Sequence, residues 1–350
     1  MKKYLALLIS VLLVMTMFTA CGDNGGGETP DGATPSTPVA DSRTKVNVTA
    51  ISGPTGVGLV NLMKKQSDGT SANNYTFNVV TAPDQAVAAI NNGSADIAAV
   101  PTNLAATLFQ KSGGKVQILA VNTECVLHIL AANSEKITNV NDLKGKTIYT
   151  SGKGANPEYI LNYVLKRNGL TVGKDVKVEF VADNDVLTTM MINGTAKIAM
   201  VPEPKASVVL NKNKNVSRVL NMNAAWIQKD GKVPPASEIT SYPLMGCVIA
   251  RTEFIQQNQQ AVRDFLAEYK ASIESVKANV DEAAALCATY KILPNAEIAK
   301  AAIPHCALIY LDALDMRRYL HPYLTVLFEY NPTSIGNKIP GPDFYYYDKK

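Results

Sequence analysis

The sequence predicts an α/β protein made of two similar lobes, and three observations support this. The chain has 350 residues, enough for about two domains. Apolar runs typical of buried strands alternate with amphipathic helical stretches. A ten-residue pattern occurs twice at a spacing of 101, as NGSADIAAVP at 92–101 and NGTAKIAMVP at 193–202. Two copies at so long a period indicate two related lobes rather than a solenoid.

Each copy predicts a polar helix start, a short apolar helix, a glycine that ends it and a buried strand. Further upstream, each half has a β-rich run, a glycine-containing loop, a helix and a second strand. In the first half these are Val46–Ile51, Ser52–Gly56, Val57–Lys65 and Thr76–Val80. In the second half they are Lys146–Thr150, Ser151–Ala155, Pro157–Arg167 and Lys177–Val181. This alternation predicts parallel sheets covered by helices.

The N-terminus is typical of an export signal. Residues 4–20 carry no charge and follow Lys2 and Lys3, a stretch short for a membrane span and typical of a secretory signal. The end of this stretch, Phe18-Thr19-Ala20-Cys21-Gly22, is similar to a bacterial lipobox, with Phe18 where leucine is usual. The resemblance implies that Cys21 is diacylated and becomes the mature N-terminus. The alternative is an ordinary signal peptide, 1–21, in which Cys21 is incidental.

Residues 22–43 contain five glycines, three prolines and five serines or threonines, with no aromatic residue. Such a composition cannot form a core, so we expect a flexible tether between the anchor and the folded part. The folded part is divided into lobe 1, residues 44–127 and 247–350, and lobe 2, residues 128–246.

Charge and cysteine spacing exclude several classes of function. The net charge of +4 argues against a nucleic-acid binder with a strongly basic surface. Cys125, Cys247, Cys287 and Cys306 are widely spaced and stand in apolar surroundings, so we expect buried thiols, with no metal site and no cofactor. Disulfide bonds between them are the alternative in an exported chain.

Candidate ligand-binding residues follow the predicted strands, because open α/β sheets bind ligands at the carboxyl ends of their strands. The two small-residue loops precede helices, whose N-termini favour anions or polarised carbonyls. The candidates are Ser52, Gly53, Thr55, Gly56, Pro83, Thr102, Asn103, Ser151, Lys153, Gly154, Asn184 and Glu203.

Each candidate has a purely structural alternative. The loops are ordinary caps and turns in that case, Lys153 is a solvated surface lysine, and Glu203 caps the helix that begins near Lys205. Trp226 and Tyr242 are more simply explained by core packing than by a place in the cleft. Tyr345–Tyr347 are better explained as a strand or an extended packing arm than as a binding platform.

Several motifs together resemble one family. The lipobox, the tether, the G-P-T-G loop, the N-G-x-A-D-I-A strand entry and D-L-K-G-K-T-I at 142–148 are similar to solute-binding lipoproteins of bacterial ABC importers. Within these the chain most resembles the nitrate/taurine branch, over about residues 45–347. The resemblance implies central mixed sheets, two crossover strands at Cys125–Ala131 and Leu244–Ala250, and a helical C-terminal tail packed on lobe 1.

The same resemblance implies a function. The protein would be a monomer, anchored by lipid on the extracytoplasmic face of the cell membrane. It would capture a small polar or anionic solute of the sulfonate, nitrate or vitamin-precursor class and deliver it to an ABC permease and its ATPase.

Two other functions remain open at this point: a ligand sensor for a membrane signalling protein and an enzyme on the same fold. The enzyme is disfavoured because the sequence has only three histidines, His128, His305 and His321, and contains neither G-x-S-x-G nor H-E-x-x-H.

Overall fold

Runs in which every side chain is apolar form the central strands. Residues 97–100 and 198–201 are buried throughout, as expected for strands covered on both faces. The computed structural model describes residues 41–229 and 232–348, and from Ser42 onward the chain forms a compact unit. The predicted signal peptide 1–21, the lipidation site Cys21 and residues 22–40 of the tether lie outside the described residues.

The strands are β1 (Lys45–Ile51), β2 (Asn74–Val80), β3 (Ile97–Pro101), β4 (Val116–Thr123), β5 (Leu127–Ala132), β6 (Thr147–Thr150), β7 (Lys177–Phe180), β8 (Ile198–Pro202), β9 (Val216–Asn221), β10 (Gly246–Arg251) and β11 (Leu308–Asp312). The helices are α1 (Pro54–Val57), α2 (Val60–Ser67), α3 (Pro83–Asn91), α4 (Thr102–Ser112), α5 (Asn156–Arg167), α6 (Asn184–Ile192), α7 (Lys205–Lys212), α8 (Met222–Ile227), α9 (Thr252–Gln257), α10 (Gln259–Ala278), α11 (Val280–Thr289), α12 (Ala296–Ala302) and α13 (Ala313–Tyr330).

The strands form two sheets, and the sheets confirm the predicted pair of similar α/β lobes. Sheet 1 has the order β11-β4-β10-β3-β1-β2, and sheet 2 has the order β7-β6-β8-β5-β9. Taken from its other edge, sheet 1 contains β2-β1-β3-β10-β4, which matches sheet 2 strand for strand. The repeat at 101 residues reappears in α3 and α6 and in β3 and β8, whose bounds differ by that number. We call sheet 1 with its helices lobe 1, and sheet 2 with its helices lobe 2.

Each sheet is mixed because it receives an antiparallel strand from the other half of the repeat, and in sheet 1 the edge strand β11 is also antiparallel to its neighbour β4. In sheet 1, β10 runs antiparallel to β3, and in sheet 2, β5 runs antiparallel to β8. The crossovers differ in one respect from those predicted. Strands β5 and β10 each lie wholly within one sheet, so the chain passes between the sheets before each strand, at residues 124–126 and 242–245.

The predicted helix Val57–Lys65 is divided into α1 and α2, with Gly58 between them. A Cβ atom on Gly58 would lie 2.8 Å from Cγ1 of Ile273 in α10, so the glycine allows the C-terminal helices to approach this turn closely. Ser272 in α10 donates a hydrogen bond to the Gly58 carbonyl at 2.6 Å. The tail therefore packs on lobe 1, as predicted.

The tail also contacts lobe 2, through α13. Trp226 in α8 is buried, stacks on Tyr163 of α5 with ring centroids 3.8 Å apart, and meets Tyr323 of α13 edge-on at 5.7 Å. One buried apolar cluster contains Trp226 and Tyr323 together with Ile118 of sheet 1 and Ile148 of sheet 2, and Tyr163 packs against it. The core is therefore continuous between the lobes, and Trp226 is a core residue.

Two smaller predictions are also confirmed. Cys125, Cys247, Cys287 and Cys306 are buried free thiols. The backbone N–H of Tyr346 donates to the carbonyl of Ile118 in β4 at 3.0 Å, so the C-terminal tyrosines form an extended packing arm.

Candidate ligand-binding site

A cavity of about 660 Å³ opens where strands of both sheets end, a size typical of small-molecule sites. Strands β1, β2 and β8 end at its rim, and the loop between α11 and α12 covers one side. It is lined by Ser52, Gly53, Pro54, Thr81, Asn184, Asp185, Pro202, Glu203, Pro204, Lys205, Ala288, Lys291, Ile292, Leu293 and Pro294. Both lobes therefore contribute to it.

The loop after β1 is fixed by hydrogen bonds of its own backbone. Ser52 N–H donates to the carbonyl of Val80 and Gly53 N–H donates to that of Ile292, each at 2.8 Å. Gly53 has φ of 120°, a conformation that favours glycine. A Cβ atom on Gly56 would lie 2.6 Å from the carbonyl oxygen of Ile51, so the fold itself requires that glycine. Of this loop, Ser52 and Gly53 line the cavity, whereas Thr55 and Gly56 lie behind it.

The matching loop of lobe 2 lies further from the cavity. Ser151 is buried, and its hydroxyl donates to Oδ1 of Asn184 at 2.7 Å, which places Ser151 one hydrogen bond behind the lining. Lys153 and Gly154 are exposed. The Lys153 ammonium lies 5.9 Å from the ring centroid of Phe180, and neither residue lines the cavity.

The remaining candidates of lobe 1 also lie outside the lining. Pro83 is exposed at the start of α3. The Thr102 hydroxyl is buried and donates to the carbonyl of Leu244 at 2.6 Å. Asn103 accepts a hydrogen bond from Asn156 at the start of α5, which joins the two lobes.

Glu203 is among the residues that line the cavity, but each of its carboxylate oxygens already has a partner within the protein. One accepts from the Ser207 hydroxyl at 2.8 Å and from Ser207 N–H at 3.2 Å, and the other pairs with Arg218. The side chain has no exposed surface, and burial raises the pKa of Glu203. These contacts agree with the structural alternative, in which Glu203 caps the helix that begins at Lys205.

Two helix N-termini next to the cavity, those of α3 and α6, have backbone N–H groups bound by side chains of the protein. The Asp183 carboxylate accepts from the N–H groups of Asp185 and Val186, both at 2.8 Å, at the start of α6. Gln85 accepts from Thr81 and Ala82 N–H at 3.1 Å before α3. The backbone donors at the start of α6 and just before α3 are therefore engaged by side chains of the protein.

The sequence did not single out four polar residues of the lining: Thr81, Asp185, Lys205 and Lys291. Lys205, the first residue of α7, pairs with Asp185 near the start of α6. The loop 291–294 is separated from β8 by about ninety residues of sequence. The local sequence indicates only that a helix ends there, because Pro294 follows an apolar helical stretch. Its place in the cavity follows from tertiary packing.

A polar cluster lies behind Glu203, at the contact between the lobes. The ring of His128 in β5 is fully buried, with Nε2 3.9 Å from Oε1 of Glu203 and 3.4 Å from the carbonyl of His305. The rings of His128 and His305 meet edge-on at 5.7 Å. Burial and the nearby Arg218 charge lower the pKa of His128 to about 4, so the imidazole is neutral at pH 7.

Two α/β lobes that exchange a strand and enclose a cavity between them define a two-lobed binding protein. The model of the family described as NMT1/THI5 like matches residues 76–283, more than half of the chain, and the chain belongs to that family. No curated protein matches the chain.

Solved structures show the same fold. An ABC transporter protein from Parabacteroides distasonis has a TM-score of 0.72 at 19% identity, covering 87% of this chain and 100% of its own. The periplasmic aliphatic sulphonate-binding protein SsuA from Escherichia coli has a TM-score of 0.63 at 18% identity, covering 87% and 96%. The periplasmic nitrate-binding protein NrtA from Synechocystis PCC 6803 has a TM-score of 0.57 at 13% identity, covering 87% and 84%.

Two of these three structures are thus named as binding proteins and the third as an ABC transporter. In residues 41–229 and 232–348, no group of three or more His, Cys, Asp or Glu side chains could hold a metal ion. None of the described helices combines the length and the apolar character needed to cross a membrane.

Proposed function

We propose that this protein is the extracytoplasmic solute-binding component of an ABC import system. It captures a small polar or anionic solute between its lobes and delivers it to the permease and its ATPase. The observation that carries the proposal is the cavity itself, which is lined from both lobes by loops at the ends of β1, β2 and β8. A ligand that touches both lobes stabilises one arrangement of them, and that is the signal a permease needs.

The proposal includes the place of the protein in the cell. Cleavage before Cys21 and diacylation would anchor the chain to the membrane, and residues 22–43 would tether a monomeric binding domain on the outer side. The sulfonate and nitrate named for the structural relatives belong to the solute class proposed here. We further propose that the protein binds its solute without converting it.

Native mass spectrometry tests this function. The full chain, purified in mild detergent without refolding, is expected to carry or bind one small solute per polypeptide. The solute should be recovered chemically intact after prolonged incubation. Failure to bind any small molecule, or conversion of the bound one, would contradict the proposed function.

A further inference from the structure

Lys291 occupies a backbone position that normally selects glycine. It follows the C-terminus of α11, where its N–H donates to the carbonyl of Ala288 at 3.2 Å and Ile292 N–H donates to that of Cys287 at 2.8 Å. This double hydrogen bond is the Schellman motif, and its central residue is usually glycine or asparagine. Lys291 has φ of 57°, in the left-handed region where a Cβ atom is unfavourable. The left-handed backbone conformation therefore gives no reason for lysine here.

The surroundings hold Lys291 at the edge of the cavity. The carbonyl of the next residue, Ile292, accepts the hydrogen bond from Gly53 N–H, and the Ile292 side chain lies against Gly56. The loop is thereby fixed to the end of β1. Lys291 itself is exposed, lines the cavity, and has no ion pair within the described part of the chain.

Lobe 2 places a second ammonium group in the same lining. Lys205 is 36% exposed and pairs with Asp185, which is 79% exposed and lies on the adjoining helix start. Asn184, Ser52 and Thr81 add an amide and two hydroxyl groups. The Glu203 charge is compensated by Arg218. The cavity thus presents two ammonium groups and one carboxylate, a balance that favours an anion.

We propose that Lys291 and Lys205 receive the negatively charged group of the solute from opposite lobes, and that Lys291 determines the preference for an oxyanion. This inference rests on the proposed function, and it gives to these two residues the role that the sequence suggested for Lys153. Oxygen atoms of a sulfonate, nitrate or carboxylate would accept charge-assisted hydrogen bonds from both ammonium groups.

A structural role for Lys291 makes a different prediction. A cation near the C-terminus of α11 would interact favourably with the helix dipole, and its loss would then lower stability rather than affinity. Lys291→Gly separates the two roles, because glycine suits the left-handed backbone while it removes the charge.

The test uses the full chain in mild detergent, with isothermal titration of methanesulfonate, nitrate and the neutral methanesulfonamide. Native mass spectrometry is run first, and a co-purified anion replaces the probes if one is found. We expect the wild type to bind an anion and to discriminate against methanesulfonamide. Lys291→Gly should lose roughly ten- to a hundred-fold in affinity, the value of one charge-assisted hydrogen bond, with a thermal midpoint at or above that of the wild type. Lys205→Gln should lose affinity similarly.

Two controls complete the experiment. Lys153→Gln removes a lysine outside the cavity and should leave affinity unchanged, and Lys291→Arg keeps the charge in the same backbone conformation and should retain binding. Should Lys291→Gly lose stability as well, affinity is measured at a temperature at which the variant is fully folded: a loss of affinity there supports the proposal, and wild-type affinity there overturns it.

The outcomes separate the two proposals. Unchanged affinity in Lys291→Gly and Lys205→Gln, with a wild type that binds, overturns this inference and leaves the proposed function standing. Binding of methanesulfonamide as tightly as methanesulfonate, or a neutral or cationic co-purified solute, would also overturn this inference and leave the proposed function standing. A wild type that binds no probe and carries no solute contradicts the proposed function and this inference with it.

Discussion

Asn156 Nδ2 donates to Asn103 Oδ1 across the junction of the lobes, at 3.1 Å. Asn103 lies in the first turn of α4 in lobe 1, and Asn156 begins α5 in lobe 2. Asn156 is only 6% exposed, and its own Oδ1 has no partner among the described residues. This contact is therefore the one hydrogen bond that the buried Asn156 side chain makes among the described residues.

Loss of that partner should destabilise the protein. Asn103→Ala leaves the Asn156 amide buried without an acceptor, which we expect to reduce the free energy of unfolding by about 1 to 3 kcal/mol. Urea unfolding of the two single variants and the double variant with Asn156→Ala measures the coupling between them. Additive effects would show that the contact contributes nothing of its own.

The buried His128 makes stability depend on pH. Its pKa falls from 6.5 to about 4 on folding, so the unfolded chain binds more protons than the native state between those values. The contribution of His128 to the free energy of unfolding is therefore complete above about pH 6.5. It decreases as the pH falls towards 4, by at most about 3 kcal/mol. Glu203 contributes in the opposite direction, because its pKa is raised on folding.

A histidine substitution isolates this contribution. The free energy of unfolding of His128→Gln, measured by urea at several pH values, should fall less steeply under acid than that of the wild type. His321→Gln, which changes an exposed histidine, should keep the wild-type profile. Equal slopes in the wild type and His128→Gln would exclude a role for this imidazole.

The two loop glycines allow a comparison of affinity, provided that each variant is first shown to be folded by its thermal midpoint. Gly53 has φ of 120° and ψ of −168°, a region that essentially only glycine adopts, whereas Gly154 has φ of 74°, so alanine strains the backbone more at Gly53. Only Gly53 lines the cavity, so Gly53→Ala should weaken ligand binding and Gly154→Ala should not. Calorimetric titration with the solute found by native mass spectrometry measures both. Equal losses would place the ligand against both loops, as the sequence suggested.

The proposed anchor is tested by Cys21→Ala. Because residues 22–43 cannot contribute to a core, we expect the variant to leave the membrane fraction without any change in thermal midpoint. Carbonate washing of membranes and immunoblotting measure the release. A variant that stays membrane-bound after its leader has been removed would contradict the lipoprotein assignment.

Sequence reasoning predicted the fold well because the repeat encodes local structure. Residues 92–101 and 193–202 carry the same turn and the same buried strand, and each of them lies in a matching position of its sheet. The positions of β5 and β10 within those sheets came from a resemblance to a family, since no local pattern states which strand an apolar run will pair with.

The candidate site was predicted only in part. Four predicted residues line the cavity: Ser52, Gly53, Asn184 and Glu203. They could be predicted because the ends of the strands before them can be recognised in the sequence. Lys153 does not line the cavity, because the position of a loop relative to a cleft depends on the packing of whole lobes. Lys291 was missed for a related reason: the end of α11 reaches the cavity through a long-range contact between Ile292 and Gly53.

The exchanged strands also determine the order in which the two sheets can be completed during synthesis. Sheet 2 has all of its strands once Asn221 has emerged from the ribosome, although its first strand, β5, begins only at Leu127. Sheet 1 begins at Lys45 but needs β10 and β11, and so it remains incomplete until Asp312. Until Arg251 has emerged, β3 and β4 lack β10, the strand that lies between them in the native sheet, and such unpaired edges favour aggregation. The sheet that starts the chain is thus the last to receive all of its strands.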